Sequence, residues 1–190
     1  MDKGVKKTQT IPPTTRYKTP TKLLGGDKHM QFLTRAPILW ALFLLMILAG
    51  AAFQIFAPQV GGAYLDMVAD PGEVRALFEG LSPEQKTAHF WVTVLVDTLF
   101  PLSFGLLFAG MALRFFGRWG KLAALPGFAV IIFDLTENTV QALALSGTAD
   151  ALDAKAWLTP LKFGLFWLAA AIALIAALIG IYRLATRRKA

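Results

Sequence analysis

Residues 161–182 read LKFGLFWLAAAIALIAALIGIY, a run broken by a single charge, Lys162. As a helix rising about 1.5 Å per residue, such a run crosses the roughly 30 Å hydrocarbon layer of a bilayer. Working outward from it, three further apolar blocks of similar length appear, at about 38–57, 88–116 and 122–145, and the fourth is placed at about 160–182. The chain has 190 residues, is 56% hydrophobic and has a mean hydropathy of +0.55. A soluble domain of this length mixes its apolar and polar residues, whereas here the apolar ones are gathered into blocks. The expected fold is all-α: a four-helix transmembrane bundle over residues 36–185, up-down in topology, with both termini cytoplasmic.

Charge sets the orientation. Residues 1–35 carry eight Lys/Arg and two acids. The segment after the first block holds Asp66, Asp70, Glu73, Glu79 and Glu84 against Arg75 and Lys86. The next holds Arg114, Arg118 and Lys121 with no acid. The third holds Asp150 and Asp153 against Lys155, and the end holds Arg183, Arg187, Arg188 and Lys189. Basic and acidic segments alternate as the positive-inside rule requires for four spans. The net charge of +7 is thereby assigned to an anionic membrane surface rather than to nucleic acid, since no aromatic-and-basic interleaving accompanies it.

Local signals refine the organisation. Residues 1–35 are rich in Lys, Thr and Pro and read as a basic tail, disordered or surface-lying, with 30–33 resting in the interface before Pro37 opens the first span. Residues 186–190 read as a basic cytoplasmic end. Ala49-Gly50-Ala51 resembles a cleavage site, but the apolar run continues past it and the leader is long, so the first span reads as an uncleaved anchor. Asp70-Pro71-Gly72-Glu73 is a helix start, predicting a short helix at about 71–79 on the outer surface with Val74, Leu77 and Phe78 on one face. Ser82-Pro83-Glu84-Gln85 repeats the signal at the second span, and Thr159-Pro160 is read as starting the fourth. Gly117 and Gly120 mark a tight turn between spans two and three.

Small residues recur every four positions at Ala169, Ala173 and Ala177, at Ala176 and Gly180, and at Gly105 and Ala109. Such spacing lets helix backbones approach closely. Bundle packing accounts for it, and a homodimer through Ala169, Ala173 and Ala177 is the other reading.

Acids inside apolar runs are costly and mark sites. Three lie there: Asp97, Asp134 and Glu137. On span three Asp134, Glu137, Asn138 and Gln141 share one helix face. On span two His89, Thr93 and Asp97 follow at four-residue steps. Asp97 and Glu137 come at similar depths from the outer side, where Lys162 enters span four, so these groups can converge in the outer half of the bundle. Pro101 removes the backbone bond to the carbonyl four residues earlier, which is that of Asp97. An acceptor-rich site of this kind suits a cation, a proton or a donor from a ligand. Hydrogen-bonded glue between helices is the plainer reading, with Lys162 pairing Glu137 and His89 pairing Asp97. Three acids against one lysine and one histidine leave a surplus, which favours a site.

With no cysteine and two histidines, disulfides, thiolate metal sites, thiol catalysis and bis-histidine haem are excluded. No cofactor and no metal are assigned. Ser103 lies about 20 Å from His89 along one helix, too far for a catalytic triad. The site reads most simply as that of a non-catalytic protein: an accessory subunit docking on a larger membrane complex, or a bundle binding a lipid-like or amine-bearing molecule. The alternative is an intramembrane enzyme using one carboxylate as acid and another as base on a lipid-like substrate.

Asp97-Thr98-Leu99-Phe100-Pro101 and Phe133-Asp134-Leu135-Thr136-Glu137-Asn138 resemble elements of a group of small four-span bacterial membrane proteins. In these an Asp-x-x-Phe-Pro element on span two accompanies an Asp-Leu-x-Glu-Asn element on span three. The likeness covers about residues 36–185 and implies a bacterial inner (cytoplasmic) membrane. It implies topology and no activity. A looser, topological likeness is to the four-span emopamil-binding and sigma-2 type proteins, which hold acids on their early spans around a sterol or amine pocket.

Overall fold

The computed structural model describes residues 27–187, and every regular element among them is helical. Helix α1 (Asp27–Leu33) is followed by α2 (Ala36–Phe56), α3 (Pro71–Gly80), α4 (Pro83–Trp91), α5 (Asp97–Phe115), α6 (Gly120–Leu145) and α7 (Lys155–Arg187). A π-turn (Val92–Val96) joins α4 to α5 without a break. Four stretches are long and apolar enough to cross a membrane: Ala36–Val60, Pro83–Phe115, Gly117–Leu145 and Leu152–Thr186. They are compatible with a four-helix bundle and are the mark of a multi-pass membrane protein.

The tail does not stay outside the fold throughout. Residues 1–26 lie outside the described residues, but α1 packs against α5. Arg114 Nη1 on α5 donates to the Thr34 carbonyl at 2.8 Å, tying down the link between α1 and α2. Residues 188–190 of the basic end also lie outside the described residues, and α7 runs on to Arg187. Helix α2 opens on Pro37 and is apolar on all sides, with only Leu39 and Ala49 buried. It packs principally on α5, so most of its surface is left for lipid.

Helix α3 begins where its cap dictates: Asp70 Oδ1 accepts from the Glu73 N–H at 2.8 Å. Its apolar face is not idle. Val74 is fully buried with Leu65, Val140, Leu152 and Leu158, and Leu77 and Phe78 pack beside them. Arg75 joins it to the 146–154 connection through Asp150 at 3.0 Å and Asp153 at 2.9 Å. Ser82 and Gln85 then form a reciprocal capping box that starts α4.

Between α4 and α5 the Asp97 N–H bonds the Val92 carbonyl, five residues back. The π-turn shifts the register of the His89–Thr93–Asp97 stripe from the even four-residue steps expected, although all three remain buried. The chain reverses between α5 and α6 at Gly117, whose φ of 56° favours a residue without Cβ. The two helices then cross in close contact. A Cβ at Gly127 would lie 2.9 Å from both the Ala109 nitrogen and the Gly105 carbonyl oxygen.

One expectation is corrected here. Thr159-Pro160 does not start the fourth span; the helix begins at Lys155 and carries Pro160 inside it. The proline forfeits one backbone bond, to residue 156. Burial of Leu152, Lys155 and Leu158 on the preceding turn outweighs that loss. On α7 the small residues Ala169, Ala173 and Ala176 are buried in the bundle, while Ala177 is half-buried.

Candidate functional site

The site is built at the end of the bundle where the 57–82 and 146–154 connections meet. Glu137 on α6 is fully buried. Its Oε1 accepts from Lys155 Nζ and from the Thr159 hydroxyl, and its Oε2 lies 2.8 Å from Lys162 Nζ. One carboxylate therefore takes both lysines of α7. Those lysines and Thr159 stand at positions 155, 159 and 162, spaced so that all three share the helix face turned to α6.

Lys162 is itself shared. Its ammonium pairs closely with Asp66 on the short turn Leu65–Met67 and stands 3.8 Å from Asp134 Oδ1. Asp66, Asp97 and Asp134 each offer one oxygen within 4.8 Å of the others. Asp97 and Asp134 are buried, and Asp66 is half-buried at the edge. Four carboxyl groups thus face two ammonium groups in one buried volume. Asp134 Oδ1 has no hydrogen-bond donor.

Burying unpaired charge is prohibitively costly, so the surplus has to be met by protons or by a bound cation. An oxygen trio of this size is on the scale of the coordination sphere of a hard metal ion, whose ligands sit about 2.3–2.6 Å from calcium. The Lys162 ammonium already stands between Asp66 and Asp134, however, and would repel a metal there. The arrangement is better suited to a proton or to a second ammonium group, which can accept the same geometry of oxygens as Lys162 does.

Asn138 joins the site through the backbone. Its Nδ2 donates to the Asp97 carbonyl at 2.7 Å, the oxygen that Pro101 leaves without an N–H. Its Oδ1 is buried with no donor, and Gln141, also buried, has neither of its polar atoms bonded. Tyr64 closes the α2 side, where its hydroxyl donates to the Phe53 carbonyl. Burial first, and then the charge of Asp97, raises the Tyr64 phenol above its ordinary range.

Of the residues read from the sequence, Asp97, Asp134, Glu137, Asn138 and Lys162 come together, and Lys162 does pair with Glu137. His89 does not pair with Asp97: its Nε2 accepts from the Leu65 N–H at 3.3 Å, leaving Nδ1 with no partner. It therefore holds the Leu65–Met67 turn that delivers Asp66. Gln141 is buried on the same face of α6 without bonding to the cluster. Three members escaped the sequence reading. Lys155 reads locally as a loop charge beside Asp150 and Asp153, and Thr159 as part of a helix start. The 155/159/162 spacing is the signal that identifies both as members of a helix face. Asp66 has no such signal, because a chain reversal brings it in. No family model, curated protein or solved structure matches the chain, so the resemblance drawn above rests on its two sequence elements alone.

Proposed function

We propose that this protein is a non-catalytic ligand-binding bundle of a bacterial inner membrane, up-down in topology with both termini cytoplasmic. Its carboxylate cluster takes a small molecule bearing a protonated amine from the outer half of the bilayer. The alternation of basic and acidic connections supports the orientation. It puts the cluster on the side of Asp70, Glu73 and Glu79. The observation that carries the ligand class is the imbalance of the cluster: Asp66, Asp97, Asp134 and Glu137 against Lys155 and Lys162. Glu137 is already engaged by its two lysines and by Thr159. Asp97 and Asp134 are the groups left to receive a guest, with Asn138 holding the Asp97 backbone in place.

Native mass spectrometry of the gently extracted protein tests this. A stoichiometric amine-bearing molecule that is retained by the wild type, and lost in Asp97→Asn at unchanged helix content, is the expected result. A stoichiometric protein partner without any small molecule would instead make the cluster a docking face of an accessory subunit. Loss of stability in Asp97→Asn with no ligand in either protein would reduce the carboxylates to packing.

A further inference from the structure

At the opposite end of the bundle from the carboxylate cluster, an apolar groove of about 510 Å³ opens between α2, α5 and α7. It exists because α2 leans on α5 rather than on α7, and because α7 presents Ala173, Ala177 and Gly180 to the gap. Its walls are Leu39 and Phe43 from α2, Phe108 and Met111 from α5, and Leu184 from α7. The volume falls in the range of about 300–1,000 Å³ typical of ligand sites. It lies among the membrane-crossing helices, where acyl chains are the medium.

The groove has one polar wall, Arg114. One guanidinium nitrogen of Arg114 serves the Thr34 carbonyl. The side chain is otherwise exposed, with most of its five N–H groups left over. Two further arginines adjoin the lining: Arg35 immediately precedes Ala36, its guanidinium carbon 5.7 Å from the centre of the Phe32 ring, and Arg183 Nη2 bonds the carbonyl of Phe115, a lining residue. Three guanidinium groups at the end of an apolar slot match a phosphate at the end of an acyl chain. They also repel a second copy of the chain, which would bring the same arginines to the same place.

We infer that this groove seats one acyl chain of an anionic phospholipid, with its phosphate held by Arg114 between Arg35 and Arg183. The site is independent of the carboxylate cluster.

The test uses the full chain in mild detergent with equal amounts of phosphatidylglycerol and phosphatidylcholine, read by native mass spectrometry. One bound lipid is expected, with phosphatidylglycerol preferred by at least about tenfold. Arg114→Lys should keep the preference, since charge is retained. Arg114→Gln should reduce it to within about twofold. Ala177→Phe, which fills the groove, should abolish binding of either lipid, and the smaller Ala177→Leu should weaken it if the phenylalanine variant does not fold. Equal occupancy by the two lipids in the wild type would overturn the assignment. So would a preference that survives Arg114→Gln, lipid retained undiminished in a folded Ala177→Phe or Ala177→Leu protein, or a lipid-free dimer.

Discussion

Asn138 on α6 donates its side-chain amide to the backbone carbonyl of Asp97 on α5, at 2.7 Å across the helix interface. The bond exists because Pro101 has no N–H to offer that oxygen. Replacing Asn138 by leucine should therefore leave a buried carbonyl without a donor and cost about 1–3 kcal/mol. With Ala in place of Pro101, the backbone can supply the missing N–H, and the same substitution should cost at most half as much. A double-mutant cycle on unfolding in detergent checks this. Strictly additive costs would mean that the two residues do not act on one oxygen.

Glu137 is the single anion that both lysines of α7 share. Glu137→Gln strands the buried Lys155 ammonium, while Lys162 keeps Asp66, and should cost about 3–5 kcal/mol, the usual penalty for breaking a buried pair from one side. Glu137→Gln combined with Lys155→Met removes the stranded charge and should recover a large part of that loss. If the double variant is no more stable than the single one, Lys155 is not held by Glu137.

The crossing of α5 and α6 depends on the absence of a side chain at Gly127, where a Cβ would meet backbone atoms at 2.9 Å. Gly127→Ala should destabilise by about 1–3 kcal/mol, because backbone cannot move aside as a side chain can. Gly164 on α7 has open space around it. Gly164→Ala should be neutral or stabilising by up to about 1 kcal/mol, through helix propensity alone. Equal effects at the two sites would contradict the packing.

Asp150 lies outside the spans, and the hydrogen bond from Arg75 is the main cause holding its carboxyl below the ordinary carboxylate range, with the Leu152 N–H second. A depressed carboxyl contributes stability that is present above its unfolded value of about 3.9 and is lost as pH falls through the lower folded value. Asp150→Asn should thus loosen α3 from the 146–154 connection at pH 7, read as faster proteolysis of the 57–82 segment. The difference from wild type should close once the pH is well below 3.9. The effect is small, since both partners are exposed and solvent screens them. A difference that persisted undiminished in acid would show that charge on Asp150 is not what matters.

The sequence by itself determined what depends on neighbours along the chain. Four apolar blocks announce four helices long enough to cross a membrane, because only a closed hydrogen-bonded backbone tolerates hydrocarbon. Asp70 and Ser82 announce the starts of α3 and α4, since each cap is satisfied within three residues. The shared face of Asp134, Glu137 and Asn138 follows from helical period alone. Even the free oxygen of Asp97 could be read from Pro101, four residues on.

Only the tertiary structure decided how these groups are answered. Pro160 suggests a helix start locally, yet burial of Leu152, Lys155 and Leu158 carries α7 back to Lys155. That added turn turns a loop cation into the partner of Glu137. Asp66 reaches Lys162 across 96 positions of chain, through a turn held by His89, and no local period encodes such a closure. The even spacing of His89, Thr93 and Asp97 is likewise altered by a π-turn. Helical period names which residues share a face; packing between helices decides which faces meet. A buried charge is specified only by the partner that meets it there.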